Sequence, residues 1–236
     1  MLGVTYFIIM KKHIPNFITC LNLFAGSIAV YYAFQGNYPI VMLLVIIAAV
    51  FDFFDGFAAR LLNAYSPMGK EMDSLADVIS FGLAPGVVAF SLLSQSGLPL
   101  WVNFAGMIIP TFSALRLAKF NIDERQSSSF IGLPTPANAL FWIGLAYSFS
   151  DFLIANNWLV IILILIFSGL LVAEIPMFSL KFKSFGWGNN QLQYIFLIVC
   201  IILLIMLQLD AFAPIILWYI LLSIAIALIN KLNKKK

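Results

Sequence analysis

The sequence is poor in charge and in the side chains that bind soft metals. Only 10% of its 236 residues are charged, and it contains one histidine and two cysteines. Soluble globular domains carry about 25% charged residues, so this composition excludes that class. The cysteines, Cys20 and Cys200, are far apart and lack CxxC spacing, which excludes a zinc ribbon or a dithiol redox motif. The net charge of +3 gives no reason to expect a nucleic-acid partner.

Apolar residues dominate what remains. They make up 63% of the chain, and the mean hydropathy is +1.03. Apolar runs long enough to span a bilayer predict about eight transmembrane helices in one all-α, polytopic membrane domain over residues 1–236. We expect a catalytic core at about 14–140 and further C-terminal helices at about 157–230. The predicted helices lie near 17–35, 38–62, 72–94, 98–119, 135–154, 157–174, 191–208 and 212–230.

The distribution of basic residues predicts the orientation. Four alternate turns, at 35–39, 94–99, 150–157 and 209–212, contain no Lys or Arg, and all thirteen basic residues fall on the other side. By the positive-inside rule that side is the cytoplasm. Both termini are therefore predicted to be cytoplasmic. The protein is predicted to lie in the inner (cytoplasmic) membrane, with its active site facing the cytoplasm.

Four carboxylates interrupt the apolar segments on either side of the second turn. They are Asp52, Asp55, Asp73 and Asp77. At about 100° per residue, Asp52, Asp55, Gly56, Ala59 and Arg60 share one face of a helix, roughly 140° wide. On the next helix, Gly69, Asp73 and Asp77 are four residues apart and form one stripe. Since helices joined by a short turn are antiparallel neighbours, the two pairs of carboxylates are expected to converge at the cytoplasmic face.

Converging carboxylates in an apolar setting indicate a hard divalent cation. Mg²⁺ or Mn²⁺ suits oxygen ligands and commonly also holds a substrate phosphate. Gly56 and Ala59 leave room for a large ligand beside the helix, and Arg60 offers a bidentate donor for phosphate. Two ions could clamp a phosphoryl group for in-line displacement, with one carboxylate free to accept a proton. Two alternatives stay open: a set of capping or salt-bridged acids, with Asp73 as a helix N-cap, and a cation or proton transport pathway.

The pattern D-x2-D-G-x2-A-R-x8-G-x3-D-x3-D, from Asp52 to Asp77, resembles the signature of the CDP-alcohol phosphotransferases. Within that family the chain is similar to the phosphatidylserine synthases, which transfer a phosphatidyl group from CDP-diacylglycerol to L-serine and release CMP. The further stretches that carry this resemblance are PNFITCLNLFAG (15–26), MDSLADVISFGLAP (72–85), SALRLAKFN (113–121) and FIGLPTPANA (130–139).

The resemblance implies a role for each matching position. Asp52, Asp55, Asp73 and Asp77 are expected to bind two divalent metal ions, Mg²⁺ or Mn²⁺, and Asp77 is also expected to act as the general base. It also implies a homodimer within membrane lipids. The positions expected to contact CDP-diacylglycerol are Asn16, Thr19, Asn22, Asp52, Gly56, Ala59, Arg60, Ser66 and Gly69.

The acceptor alcohol is not specified by the carboxylate signature. Serine carries a carboxylate, so its pocket needs a cation, and Arg116 and Lys119 lie three residues apart near the end of a predicted helix. We expect Arg116 to hold the serine carboxylate, with Lys119 and Asn121 nearby. The alternatives are that these are only topology-determining charges, or that the acceptor is another alcohol such as glycerol phosphate or inositol phosphate.

Overall fold

The computed structural model describes residues 2–123, 125, 130–178 and 186–233, and nearly all of them are helical. The only strands in this part of the chain are β1 (Phe130–Ile131) and β2 (Pro176–Met177). The all-α fold class is therefore confirmed. The α-helices are α1 (Leu2–Phe34), α2 (Tyr38–Leu61), α3 (Pro67–Asp77), α4 (Ala84–Gln95), α5 (Leu100–Asn103), α6 (Ile108–Ile122), α7 (Thr135–Ala155), α8 (Asn157–Val172), α9 (Gln191–Leu207) and α10 (Phe212–Asn233).

The predicted apolar runs all correspond to helical segments. Within the described residues, six segments are long and apolar enough to cross a membrane, and the last of them, Gln191–Leu232, contains both α9 and α10. The protein is thus a multi-pass membrane protein. The eight crossings and the cytoplasmic location of both termini stay predictions.

Helices α1 and α2 form an antiparallel hairpin around a short turn at 35–37. Gly36 has φ +69° in that turn, a conformation that glycine adopts without strain. Buried Ala25, Ala29 and Ala33 repeat every four residues along α1, which packs most extensively against α2. Such small side chains allow membrane helices to approach closely. The helix α1 begins at Leu2, well before the predicted start near residue 17.

The segment from α3 to α4 is one continuous helical stretch with a π-helical turn inside it. Ser66 caps its start, because Ser66 Oγ accepts a hydrogen bond from Gly69 N at 3.0 Å. The turn Val78–Leu83 is π-helical and follows Asp77 directly. π-Helical turns occur frequently at functional sites. The apolar periodicity predicted one regular helix here and did not reveal this turn.

Two short strands fix the start of α7. Phe130 pairs with Met177 and Ile131 with Pro176, antiparallel. Gly132 N then donates to Ile175 O at 2.9 Å, and Leu133 N donates to Leu170 O at 2.9 Å. These bonds hold the chain that enters α7 against the end of α8, and so determine where the first turn of α7 lies.

Candidate active site

The four aspartates converge as predicted. One carboxylate oxygen from each of Asp52, Asp55 and Asp73 lies within 4.8 Å of the others. Asp77 is close enough to Asp52 and Asp73 for their charges to interact. Helix α2 supplies Asp52 and Asp55, and α3 supplies Asp73 and Asp77. About one turn of each helix therefore provides all the carboxylates of the cluster.

The cluster fits a divalent cation better than it fits a set of structural acids. Asp73 Oδ1 is buried and has no hydrogen-bond partner in the described part of the chain. None of the four carboxylates has a Lys or Arg nitrogen within 4 Å among the described residues. The interpretation of Asp73 as a helix N-cap is wrong, because Ser66 caps α3 and Asp73 lies inside it. Buried charges are retained in proteins when they are paired or coordinate a metal, so these residues could hold Mg²⁺ or Mn²⁺.

Helix α1 supplies polar partners for two of the carboxylates. Thr19 Oγ1 donates to Asp55 Oδ2 at 2.8 Å, and Asn22 Nδ2 lies 3.5 Å from Asp77 Oδ1. Ser80, in the π-helical turn, donates from Oγ to Asn22 O at 3.1 Å. These contacts orient Asp55 and Asp77, and Asn22 Oδ1 has no hydrogen-bond partner within the part of the chain that the structure describes.

A cavity of about 500 Å³ opens beside the cluster. It is lined by Pro15, Asn16, Thr19, Asp55, Gly56, Ala59, Ala64, Tyr65, Ser66, Pro67, Gly69, Lys70 and Asp73. A Cβ on Gly56 would have no atom within 4 Å, so this glycine leaves the cavity open. A Cβ on Gly69 would lie 2.9 Å from Asn16 Oδ1, so that glycine allows α3 to approach α1.

Six of the residues expected to contact the donor line this cavity together. They are Asn16, Thr19, Gly56, Ala59, Ser66 and Gly69. The other three do not line it. Asn22 is buried beside Asp77, Asp52 lies within the carboxylate cluster, and Arg60 is exposed in the last turn of α2.

Lys70 and Tyr65 also line the cavity, although neither was predicted from the sequence to contact the donor. Lys70 is the one basic side chain among the lining residues, and its Nζ donates to Asn121 O at 3.0 Å. Its place directly after Gly69 in the signature was the available signal. Lys70 thus joins the cavity to the end of α6.

The three residues expected to bind the acceptor lie in different environments. Arg116 is 6% exposed, its Nη1 donates to Thr135 Oγ1 at 3.1 Å, and its charge interacts with that of Asp77. Asn121 Nδ2 donates to Ser74 Oγ at 2.8 Å. The structure therefore places Arg116 near the predicted general base, and Asn121 against α3.

Lys119 does not share the partners of Arg116. It forms an ion pair with Glu174, and Arg125 Nη2 lies 3.4 Å from the second oxygen of that carboxylate. The hydrogen bond from Lys119 holds the pKa of Glu174 below its usual range. Lys119 and Glu174 are both substantially solvent-exposed, so this pair lies at the outer edge of the site.

Several known proteins are similar to this chain in sequence. A phosphatidylserine synthase (CDP-diacylglycerol–serine O-phosphatidyltransferase) of Bacillus subtilis is 36% identical over 144 residues, which cover 61% of this chain and 81% of that protein. Proteins of the same name from Helicobacter pylori and Saccharomyces cerevisiae are 38% identical over 128 residues and 34% identical over 172. Those matches cover 53% and 64% of this chain, and 54% and 60% of the respective relatives.

The family profile for CDP-alcohol phosphatidyltransferases matches residues 12–170. That range is more than half of the chain and contains the carboxylate cluster, the cavity and the buried arginine. The chain belongs to the CDP-alcohol phosphatidyltransferase family.

Proposed function

We propose that this enzyme transfers the phosphatidyl group of CDP-diacylglycerol to the hydroxyl of L-serine, giving phosphatidylserine and CMP. The convergence of four aspartates beside a 500 Å³ cavity carries the proposal. The names of the similar proteins support the donor and the acceptor. The family is metal-dependent, and the carboxylate cluster is the part of the chain suited to a metal.

The donor is proposed to bind in the cavity with its diphosphate at the carboxylates. Asp52, Asp55, Asp73 and Asp77 would hold two ions of Mg²⁺ or Mn²⁺, which when bound neutralise the diphosphate charge. Gly56, Ala59 and Gly69 admit the nucleotide to the helix surfaces, and Asn16, Thr19 and Ser66 offer it polar contacts. Asn22 and Arg60 are proposed to act from outside the cavity. Asn22 would act through its contact with Asp77, and Arg60 would act at the exposed edge of the cavity.

The acceptor is proposed to enter beside Asp77. Arg116 binds the serine carboxylate and so orients the hydroxyl, while Lys119 and Asn121 lie further out. Asp77 takes the hydroxyl proton as the serine oxygen forms a bond to the phosphorus that carries the diacylglycerol. The bond from that phosphorus to the CMP oxygen breaks, and CMP leaves. Most of the acceleration then comes from positioning and charge stabilisation.

The cellular setting is part of the proposal. The donor is a lipid, so the enzyme works at a membrane surface, and the distribution of basic residues favours the cytoplasmic face of the inner membrane. We also propose a homodimer, by family resemblance. A transporter is less consistent with this site, because the carboxylates gather in one cluster at one turn.

The test is CMP release by the purified protein with CDP-diacylglycerol and Mn²⁺ or Mg²⁺. Serine, glycerol 3-phosphate, inositol and choline are offered in parallel, with Asp77→Asn as the inactive control. Release with serine alone, lost in the variant, supports the proposal. Release with another alcohol would overturn the acceptor and keep the chemistry. No release with any acceptor, from folded protein that binds metal, would overturn both.

A further inference from the structure

Several buried polar atoms of α6 and α7 have no hydrogen-bond partner among the described residues, and none of them belongs to a residue that lines the donor cavity. Asn138 is fully buried, and neither its Nδ2 nor its Oδ1 has a hydrogen-bond partner in the described residues. Arg116 Nε and Ser113 Oγ are also buried and without partners there. Leaving such groups unpaired is costly, and native proteins pair most of them with protein, water or ligand.

These atoms belong to one region. Thr135, which accepts the hydrogen bond from Arg116, is three residues before Asn138 on α7, so the two side chains are neighbours on one helix face. Ser113 is three residues before Arg116 on α6, and a Cβ on Gly82 of the π-helical turn would lie 3.0 Å from Ser113 Cβ. The π-helical turn therefore joins this group to Asp77. We call Ser113, Arg116, Thr135 and Asn138 the acceptor chamber.

The chemistry of the chamber limits what it can bind. Arg116 is the one cation among these four residues, and its Nε has no hydrogen-bond partner among the described residues, so this group can bind one anion, either a carboxylate or a phosphate. Asn138 Oδ1 is a hydrogen-bond acceptor without a partner among the described residues, and Asn138 lies about one helical turn from Thr135, which accepts the hydrogen bond from Arg116. An ammonium group needs such an acceptor. A ligand with one carboxylate and one ammonium satisfies both groups, whereas a phosphorylated alcohol leaves Asn138 without a charged partner.

We propose that Asn138 determines acceptor specificity: its Oδ1 accepts a hydrogen bond from the ammonium of an α-amino-acid acceptor whose carboxylate Arg116 binds. The proposal rests on the proposed function, since it concerns the alcohol used by the same site. It assigns Asn138 to substrate recognition, a role that neither the carboxylate signature nor the charge pattern gave it.

The test compares serine with 3-hydroxypropanoate, which lacks the ammonium, and with ethanolamine, which lacks the carboxylate. Asn138→Leu keeps the approximate shape and removes the polar atoms. We expect the KM for serine to rise roughly 10- to 100-fold, as for loss of a hydrogen bond to a charged group. The preference for serine over 3-hydroxypropanoate should fall by a similar factor, while the KM for CDP-diacylglycerol stays unchanged. Asn138→Ser, which keeps an oxygen acceptor, should retain part of the preference.

Asn103→Leu is the matched control. Asn103 is 3% exposed and its Oδ1 also lacks a partner among the described residues, but it lies in α5, outside the chamber. Its substitution should leave the KM values for serine, 3-hydroxypropanoate, ethanolamine and CDP-diacylglycerol unchanged. An unchanged KM for serine in folded Asn138→Leu, and in Asn138→Ala if the leucine variant does not fold, would overturn the proposal. If the unsubstituted enzyme releases no CMP with serine, the proposed function fails instead, so the two failures are distinguishable.

Discussion

At the scale of single residues, the four clustered carboxylates carry negative charge that no Lys or Arg side chain of the described residues neutralises through an ion pair. Asp73 shows this most directly, since its Oδ1 is buried and has no hydrogen-bond partner in the described ranges. For Asp73→Asn we expect CMP release to fall by at least about 100-fold, within the range for loss of a positioned catalytic group. Without metal, the melting temperature should stay the same or rise, because one of several mutually repelling charges is gone.

The metal response separates a ligand from a structural acid. Mg²⁺ or Mn²⁺ should raise the melting temperature of the unsubstituted protein, since a ligand that binds only the folded state stabilises it. Asp73→Asn should lose most of that rise. Asp151→Asn, at the exposed far end of α7, is the control and should keep it. An equal metal response in both variants would contradict a metal site at Asp73.

Lys70 gives a second prediction at this scale. It is the basic residue of the cavity lining, so it is placed to meet an anionic donor. Lys70→Gln should raise the KM for CDP-diacylglycerol roughly 10-fold, near the lower end for a hydrogen bond to a charged group, and leave the KM for serine unchanged. Lys70→Arg should retain most of the affinity, and the exposed Lys231→Gln serves as the control. If Lys70→Gln changes only the melting temperature, its bond to Asn121 O is structural.

At the scale of elements, the contact between α1 and the π-helical turn positions Asn22 against Asp77. A Cβ on Gly26 would lie 2.7 Å from Ser80 Cα, closer than real packing allows, so alanine there must separate the two segments. Gly26→Ala should destabilise the protein by about 1–3 kcal/mol, as for overpacking in a core. It should also lower kcat, because Asn22 and Ser80 would move. Thermal melting and steady-state kinetics measure the two effects.

Gly56→Ala is the matched comparison for Gly26→Ala. A Cβ there meets no atom within 4 Å and projects into a space that the donor is proposed to fill. Its melting temperature should be nearly unchanged, while the KM for CDP-diacylglycerol should rise. A large loss of stability in this variant would show that Gly56 has a packing role that the structure does not reveal.

The elements also show which sequence signals were sufficient. Apolar runs located the helices, and Asp–Asp spacing placed each carboxylate pair on one face, because both depend on local periodicity. The π-helical turn at 78–83 was not predictable in this way, since its sequence is as apolar as a regular helix. Ser66 as the cap of α3 was missed too, although a serine before Pro67 is a known start signal.

At the scale of the whole molecule, the predicted orientation, with the carboxylates at the cytoplasmic face of the membrane, can be tested by cysteine labelling. In a Cys20→Ser background, Asn63→Cys lies in the turn between α2 and α3, and Gln35→Cys lies in the turn between α1 and α2. Both positions are exposed. A membrane-impermeant maleimide should label Asn63→Cys only from the cytoplasmic side and Gln35→Cys only from the other side. The reverse pattern would place the carboxylates outside and contradict the orientation inferred from the basic residues.

Long-range contacts mark the limit of prediction from sequence. The spacing of Arg116 and Lys119 suggested a shared role, but Arg116 turns toward Thr135 and Lys119 toward Glu174. Those partners lie 19 and 55 residues away along the chain, and β1 with β2 brings them near. No local pattern encodes such distances, so the donor side of the site was largely predictable and the acceptor side was not.

The proposed binding of donor and acceptor on different helices has a kinetic consequence. Residues of α1, α2, α3 and the turn before α3 line the cavity, Asp55 and Asp73 among them, whereas the proposed chamber residues belong to α6 and α7, and the charge of Arg116 interacts with that of Asp77. Both substrates can then be bound at once, and the alcohol can attack the phosphorus opposite the departing CMP. We predict a sequential mechanism without a phosphatidyl-enzyme, intersecting double-reciprocal plots, and inversion of configuration at phosphorus with a chiral phosphorothioate donor. Parallel double-reciprocal plots with net retention of configuration would contradict this prediction and indicate a covalent phosphatidyl-enzyme, with donor and acceptor bound one after the other.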